Sequence, residues 1–246
     1  MPPLHILIFS ATAGYRHACI PAAITALQQL SHTSPAPFTT HATEDPTIFT
    51  PLTLAPFAVI VLLHVSGDFL TSPTQLAALQ THVRNGGGVV AIHGASTGLP
   101  SSAWYARLTG GAFANHPVPQ LGRVRIVDAA HPIVAASLGR GGGMVRTKEG
   151  DKEGESQWEW VWTDEWYNFR ADPDVARGDL HVLLSVDEGS YEGGEHGRDH
   201  PIAWCQEFEG GRSFYTALGH FDEAYDDEGF MAQILGGILW TARVTG

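Results

Sequence analysis

Gly86-Gly87-Gly88-Val89-Val90-Ala91-Ile92-His93-Gly94-Ala95-Ser96 decides how this chain is read. Three glycines open the stretch, four apolar residues follow, and a histidine then stands at the start of a small-residue turn. A short, unbroken, β-branched apolar run is the pattern of a strand buried on both faces. Gly94-Ala95-Ser96 carries little side-chain bulk, so the backbone can turn sharply and throw the His93 imidazole outward. That is the layout of a nucleophile elbow with His in place of Ser or Cys.

The pattern recurs. Leu4 to Ser10 is a second apolar run, and the loop after it leads to Tyr15-Arg16-His17. Phe57 to Leu63 is a third, ending at His64, and Ser213 to Leu218 a fourth, ending at Gly219-His220. Ligands of open α/β sheets bind outside the carboxyl ends of the strands, so four histidines at four such ends point to a site.

Helical signals separate these runs. Ile20, Ala23, Ile24 and Leu27 share a helix face within about Arg16 to Ser31. Ser72-Pro73 reads as an N-cap with proline in the first turn of a helix to about Asn85, and Gly86 stops it. Alternation of strand and helix predicts an α/β fold with a mostly parallel sheet and helices on both faces. Later come strands at Val124–Val127, Trp158–Trp162 and Leu180–Val186, a hairpin of His200–Phe208 with Arg212–Leu218, and a closing helix at Phe230–Ala242. Lys148–Ser156 reads as a charged surface insertion. No linker separates two cores, so residues 1–246 are taken as a single domain.

Composition narrows the function. Among 246 residues, 26 acidic against 14 basic side chains give a formal charge of −12, which argues against nucleic-acid or anionic-membrane partners. With no signal peptide, no apolar run of roughly 20 residues, and only two cysteines, a cytoplasmic protein is expected. Cys19 reads as a buried structural thiol. The expected partner is a small molecule, and homo-oligomerisation stays open.

Six stretches in order carry a family likeness: Phe9-Ser-Ala-Thr-Ala-Gly-Tyr-Arg-His17, Gly86 to His93, Phe113-Ala-Asn-His-Pro117, Asp164-Glu-Trp-Tyr-Asn168, Asp199-His-Pro-Ile-Ala-Trp204 and Gly210 to His220. Through them the chain resembles the ThuA-like (trehalose utilisation) family over nearly its whole length. The resemblance implies a class I glutamine amidotransferase-like fold, a flavodoxin-like three-layer sandwich, and a link to trehalose and related sugars. Where an amidotransferase would carry an elbow Cys, this chain has His93, which excludes thiol-based glutamine hydrolysis. His64 stands where a small polar residue is expected.

Imidazoles titrate near neutral pH, so His93, His17 and His220, with Glu165 as base or orienting group, suit general acid–base chemistry on a carbohydrate. Arg16, His116, Asp164, Trp166 and Tyr167 are candidate substrate contacts, with Arg16 holding an oxyanion and the aromatic rings stacking on a pyranose. Two alternatives use the same residues: a non-catalytic sugar-binding or accessory module, and a metal-dependent hydrolase. No HxH or HExxH spacing marks a metal site, so a divalent ion such as zinc would depend on the fold bringing these histidines together.

Overall fold

The buried apolar runs become adjacent strands whose ends share one rim. The computed structural model describes residues 3–141, 144–146, 158–170, 180–198 and 200–245; the Lys148–Ser156 stretch lies outside them. Strands β1 (Leu4–Phe9), β2 (Phe38–Thr43), β3 (Val59–Leu63) and β4 (Gly88–Ile92) alternate with helices α1 (Ile20–Thr33), α2 (Pro51–Leu54) and α3 (Pro73–Arg84). Every residue of β3 and β4 is buried. Each large aliphatic side chain so placed contributes roughly 1.5–3 kcal/mol relative to exposure. Ser72 caps α3 in a full capping box with Gln75, as the Ser-Pro start predicts. Helix α1 begins at Ile20 rather than near Arg16, which leaves residues 11–19 to form a loop over the strand ends.

The remaining elements are α4 (Ala103–Thr109), β5 (Phe113–Asn115), β6 (Gln120–Ile126), α5 (Pro132–Ala135), β7 (Met144–Arg146), β8 (Trp158–Asp164), β9 (Asn168–Phe169), β10 (His181–Asp187), β11 (His200–Phe208), β12 (Gly211–Thr216) and α6 (Glu228–Thr241). Ten strands form one sheet in the order β2-β1-β3-β4-β12-β11-β10-β6-β8-β7, and β5 pairs with β9 apart from it. From β2 to β12 all neighbours are parallel; from β12 to β7 all are antiparallel. The sheet is therefore mixed, and the expectation of a mostly parallel one is corrected. Alternating or aromatic-rich segments such as 158–164 state which face is buried but not which way the chain runs.

Helices pack on both sides of β12. Phe214 presses on Gly237 of α6, where an added Cβ would lie 2.3 Å from its ring. Its neighbour Tyr215 points the other way, to the hydroxyl of Ser96 at 3.0 Å. After β1 the chain adds β2 on one side and β3 on the other, so strand order reverses beside the carboxyl ends of β1 and β3. A crevice is expected at such a reversal.

Candidate functional site

Six strands deliver side chains to one place. His64 is the first residue after β3 and His93 the first after β4, and both have left-handed backbone, at φ 51° and 47°. That conformation costs an L residue on the order of 1 kcal/mol, so the surrounding contacts must hold it. His220 follows β12 through Gly219, whose φ is 116°. Glu165 follows β8, and His116 follows β5. His17 arrives on the loop after β1, which Ser66 secures: its hydroxyl accepts the Gly14 N–H at 3.2 Å and donates to the Tyr15 carbonyl at 2.7 Å. Gly94 leaves room for His17, since a Cβ there would lie 2.9 Å from its Cε1.

Glu165 is the hub. Its Oε2 lies 3.3 Å from His93 Nε2 and 3.1 Å from His220 Nδ1, and its Oε1 lies 3.5 Å from His116 Nε2. One ligand-type atom from each of His17, His93, Glu165 and His220 falls within 4.8 Å of all the others, a set of donors that could hold a metal ion. The His17 ring packs 4.5 Å from His64, 4.8 Å from His93 and 5.3 Å from His220. Tyr167 lies over His93 at 4.3 Å and stacks on His116 at 5.6 Å.

Burial and charge set the protonation states. His17 is 4 % exposed; desolvation, reinforced by His93 and His220, pushes its pKa down to about 3 and keeps it neutral. Burial does the same to His64, which falls well below its ordinary value. Burial alone would raise the Glu165 carboxyl, but the ring nitrogens of His220 and His93 close beside it hold it well below the usual range. Burial opposes charge on His220 too, yet the Glu165 carboxylate 3.1 Å away prevails and its pKa rises. The result is a buried carboxylate paired with His220, whose protonated form is favoured, and close to His17, which is kept neutral.

Two segments of the chain, residues 5–149 and 145–241, match the ThuA family, described as trehalose utilisation. The chain belongs to the ThuA family. A ThuA-like protein from Bacteroides uniformis shares 22% identity and a TM-score of 0.71, over 97% of this chain and 91% of that one. A ThuA-like protein from Parabacteroides merdae shares 19% and 0.72, over 99% and 91%. A cytoplasmic protein from Salmonella typhimurium shares 14% and 0.58, over 97% and 99%. At these identities the likeness is one of fold. No curated protein matches the chain closely enough to carry an argument.

Within this ThuA fold the residues read from the sequence part company. His17, His93, Glu165 and His220 converge, with His116 and Tyr167 against them. His93, however, is fully buried rather than thrown outward, because Tyr167 covers it. Asp164 is also fully buried and serves the backbone: its carboxylate accepts the N–H groups of Glu165 (2.9 Å), Gly219 (2.8 Å) and His220 (3.3 Å), and the Trp162 indole (2.9 Å). Trp166 is 1 % exposed and donates its indole N–H to the Gln120 carbonyl, so it offers no face to a sugar. Tyr167, 2 % exposed, stacks on imidazoles instead. Arg16 forms a two-pronged ion pair with Glu44, at 2.7 and 3.1 Å.

His64 belongs to the cluster more closely than its sequence position suggested. Its Nε2 lies 2.7 Å from the Tyr225 hydroxyl and 3.4 Å from Cys19 Sγ, so it links the imidazoles to the segment before α6. Cys19 is structural: burial pushes its thiol up to about 12. His200 supports the loop from beneath, donating from Nε2 to the Tyr167 carbonyl at 2.8 Å while Nδ1 meets Glu188 at 2.8 Å. Nothing in the spacing of Tyr225 or His200 points to these roles; only the fold does.

Proposed function

We propose that this ThuA family member is a carbohydrate-modifying enzyme, acting on trehalose, a related sugar or an oxidised derivative, with its reaction centre at Glu165. One observation carries the reading: a buried carboxylate touches three imidazoles in different surroundings, so proton donors and acceptors coexist at one point. Glu165 and His220 exchange a proton with the substrate. His116, its side chain 32% exposed, passes it to solvent. His17 and His93 bound the reacting atoms, and Asp164 acts as a positioning residue.

The fold proposed around this centre is the flavodoxin-like three-layer sandwich of class I glutamine amidotransferases, supported by the elbow-like turn after β4. A cytoplasmic location is proposed on the Salmonella relative's description. Among the described residues no helix is long and apolar enough to cross a membrane.

Turnover of a panel of disaccharides and their keto forms tests the reading. Conversion of at least one sugar, lost in Glu165→Gln and His220→Ala, supports it. Tight binding without turnover moves the protein to the accessory-module class, and no binding to any sugar ends the carbohydrate assignment.

A further inference from the structure

We propose that His17, His93, Glu165 and His220 form the first coordination sphere of a divalent transition-metal ion, with zinc the reference case. The inference stands on the donor set and holds whichever sugar is the substrate.

Hydrogen bonding comes first. His93 Nδ1 donates to the carbonyl of Ala217, which fixes the ring with Nε2 facing Glu165. His93 Nε2, His220 Nδ1 and both ring nitrogens of His17 are buried and have no hydrogen-bond partner of good geometry. Buried polar atoms left in this state are costly, on the order of 1–3 kcal/mol each. Here they are not scattered; together with a carboxylate oxygen they face one another. Ring nitrogens without partners, gathered this closely around a carboxylate oxygen, are a donor set that a cation would satisfy.

Distances come second. Metal–nitrogen bonds of roughly 2.0–2.1 Å place neighbouring ligands of a tetrahedral ion about 3.3–3.4 Å apart. Glu165 Oε2 stands 3.3 Å from His93 Nε2 and 3.1 Å from His220 Nδ1, already at that spacing. All four donor atoms lie within 4.8 Å of one another, so the set closes to tetrahedral spacing with shifts of about an ångström or a little more.

Supporting bonds come third. Metal-binding imidazoles typically give their second N–H to a carbonyl or carboxylate, which fixes tautomer and ring orientation. Ala217 does so for His93, and Asp164 holds the backbone of both Glu165 and His220. Three imidazoles and one carboxylate suit zinc and its first-row neighbours, not magnesium or calcium, which take oxygen cages. A bound ion would supply Lewis acidity toward a substrate oxygen. His116, outside the set, stays free to move a proton through the other oxygen of Glu165.

The test is metal binding itself. Protein stripped with chelator is titrated with zinc chloride by calorimetry, and with cobalt chloride by absorption, with metal content measured after dialysis. One ion per chain is expected, with a cobalt spectrum of low coordination number. His17→Ala, His93→Ala, His220→Ala and Glu165→Gln should each weaken zinc at least about a hundredfold, while His116→Ala changes it less than about threefold and the remote His181→Ala not at all. Zinc should also raise the Tm of the wild type, so a variant that folds poorly is scored by loss of that rise. No stoichiometric ion in the wild type, or affinity unmoved by all four variants, overturns the proposal. A metal-free protein that turns over sugar removes the ion and keeps the acid–base reading; a metal-bound protein inert to every sugar does the reverse.

Discussion

The carboxylate of Asp164 accepts the backbone N–H of His220 at 3.3 Å, although three strands separate β8 from β12 in the sheet. Flat strands about 4.8 Å apart would hold those ends roughly 19 Å from each other. The loop of residues 217–220 after β12 and the curl of the sheet together close that gap, which brings His220 to Glu165. One buried carboxylate thus joins the two halves of the site.

Asp164→Ala should cost about 2–4 kcal/mol, because four donors lose their acceptor inside the protein. Urea denaturation measures it. Asp164→Asn, which keeps the shape, should recover part of that loss. A change below 0.5 kcal/mol for the alanine variant would show that the halves meet without this link.

Gly94→Ala should disable the site at modest cost to the fold. The new methyl would lie 2.9 Å from His17 Cε1 and 3.4 Å from His64 Cα, so the ring must move. About 1–3 kcal/mol of overpacking is expected, alongside a loss of turnover of at least tenfold. Thermal unfolding and initial rates on one preparation separate the two effects. Unchanged turnover would place His17 outside the reaction.

Trp166→Ala should destabilise by about 3–5 kcal/mol, as removal of a large core ring does, with KM for the sugar unmoved in the folded fraction. Its indole is buried and bonded to Gln120. A raised KM with normal stability would return Trp166 to the substrate.

Acid should destabilise the chelator-stripped protein. His17 and His64 are neutral in the fold, with pKa values lowered by burial, to about 3 for His17. Below about pH 6.5 the unfolded chain binds protons that the folded chain does not. Their share of stability is full above that pH and is lost as pH falls from about 6.5 toward 3, at up to about 1–2 kcal/mol per pH unit. Glu165, whose carboxyl is lowered against the pull of burial, adds to the loss only below its ordinary range. His220 has the opposite sign: its pKa is raised, so its contribution fades as pH rises above neutrality. Denaturation midpoints between pH 4 and 8 check the slope, and a flat profile would mean that His17 titrates freely.

Much of the parallel half was legible. β3, β4 and α3 announce themselves because burial on both faces leaves an unbroken apolar run, and because Ser72-Pro73 and Gly86 punctuate the helix. The β11–β12 hairpin was legible through Glu209-Gly210-Gly211; Glu209 and Gly210, at φ 47° and 100°, make the tight turn that joins its strands. Strand direction beyond β12 was not, since the alternation in Trp158–Asp164 fits either sense. The three imidazoles of the cluster were legible as strand-end residues. That Asp164 and Trp166 serve the framework, and that His64 reaches Tyr225, depends on contacts 46 to 161 residues apart in sequence, which no local pattern records.

A crystal structure with a bound disaccharide or its keto form tests the central claim most directly. Sugar oxygens are expected within hydrogen-bonding reach of Glu165, His220 and His116, at the carboxyl ends of β8, β12 and β5. Sugar bound at the opposite ends of the strands, with the histidine cluster untouched, would contradict it.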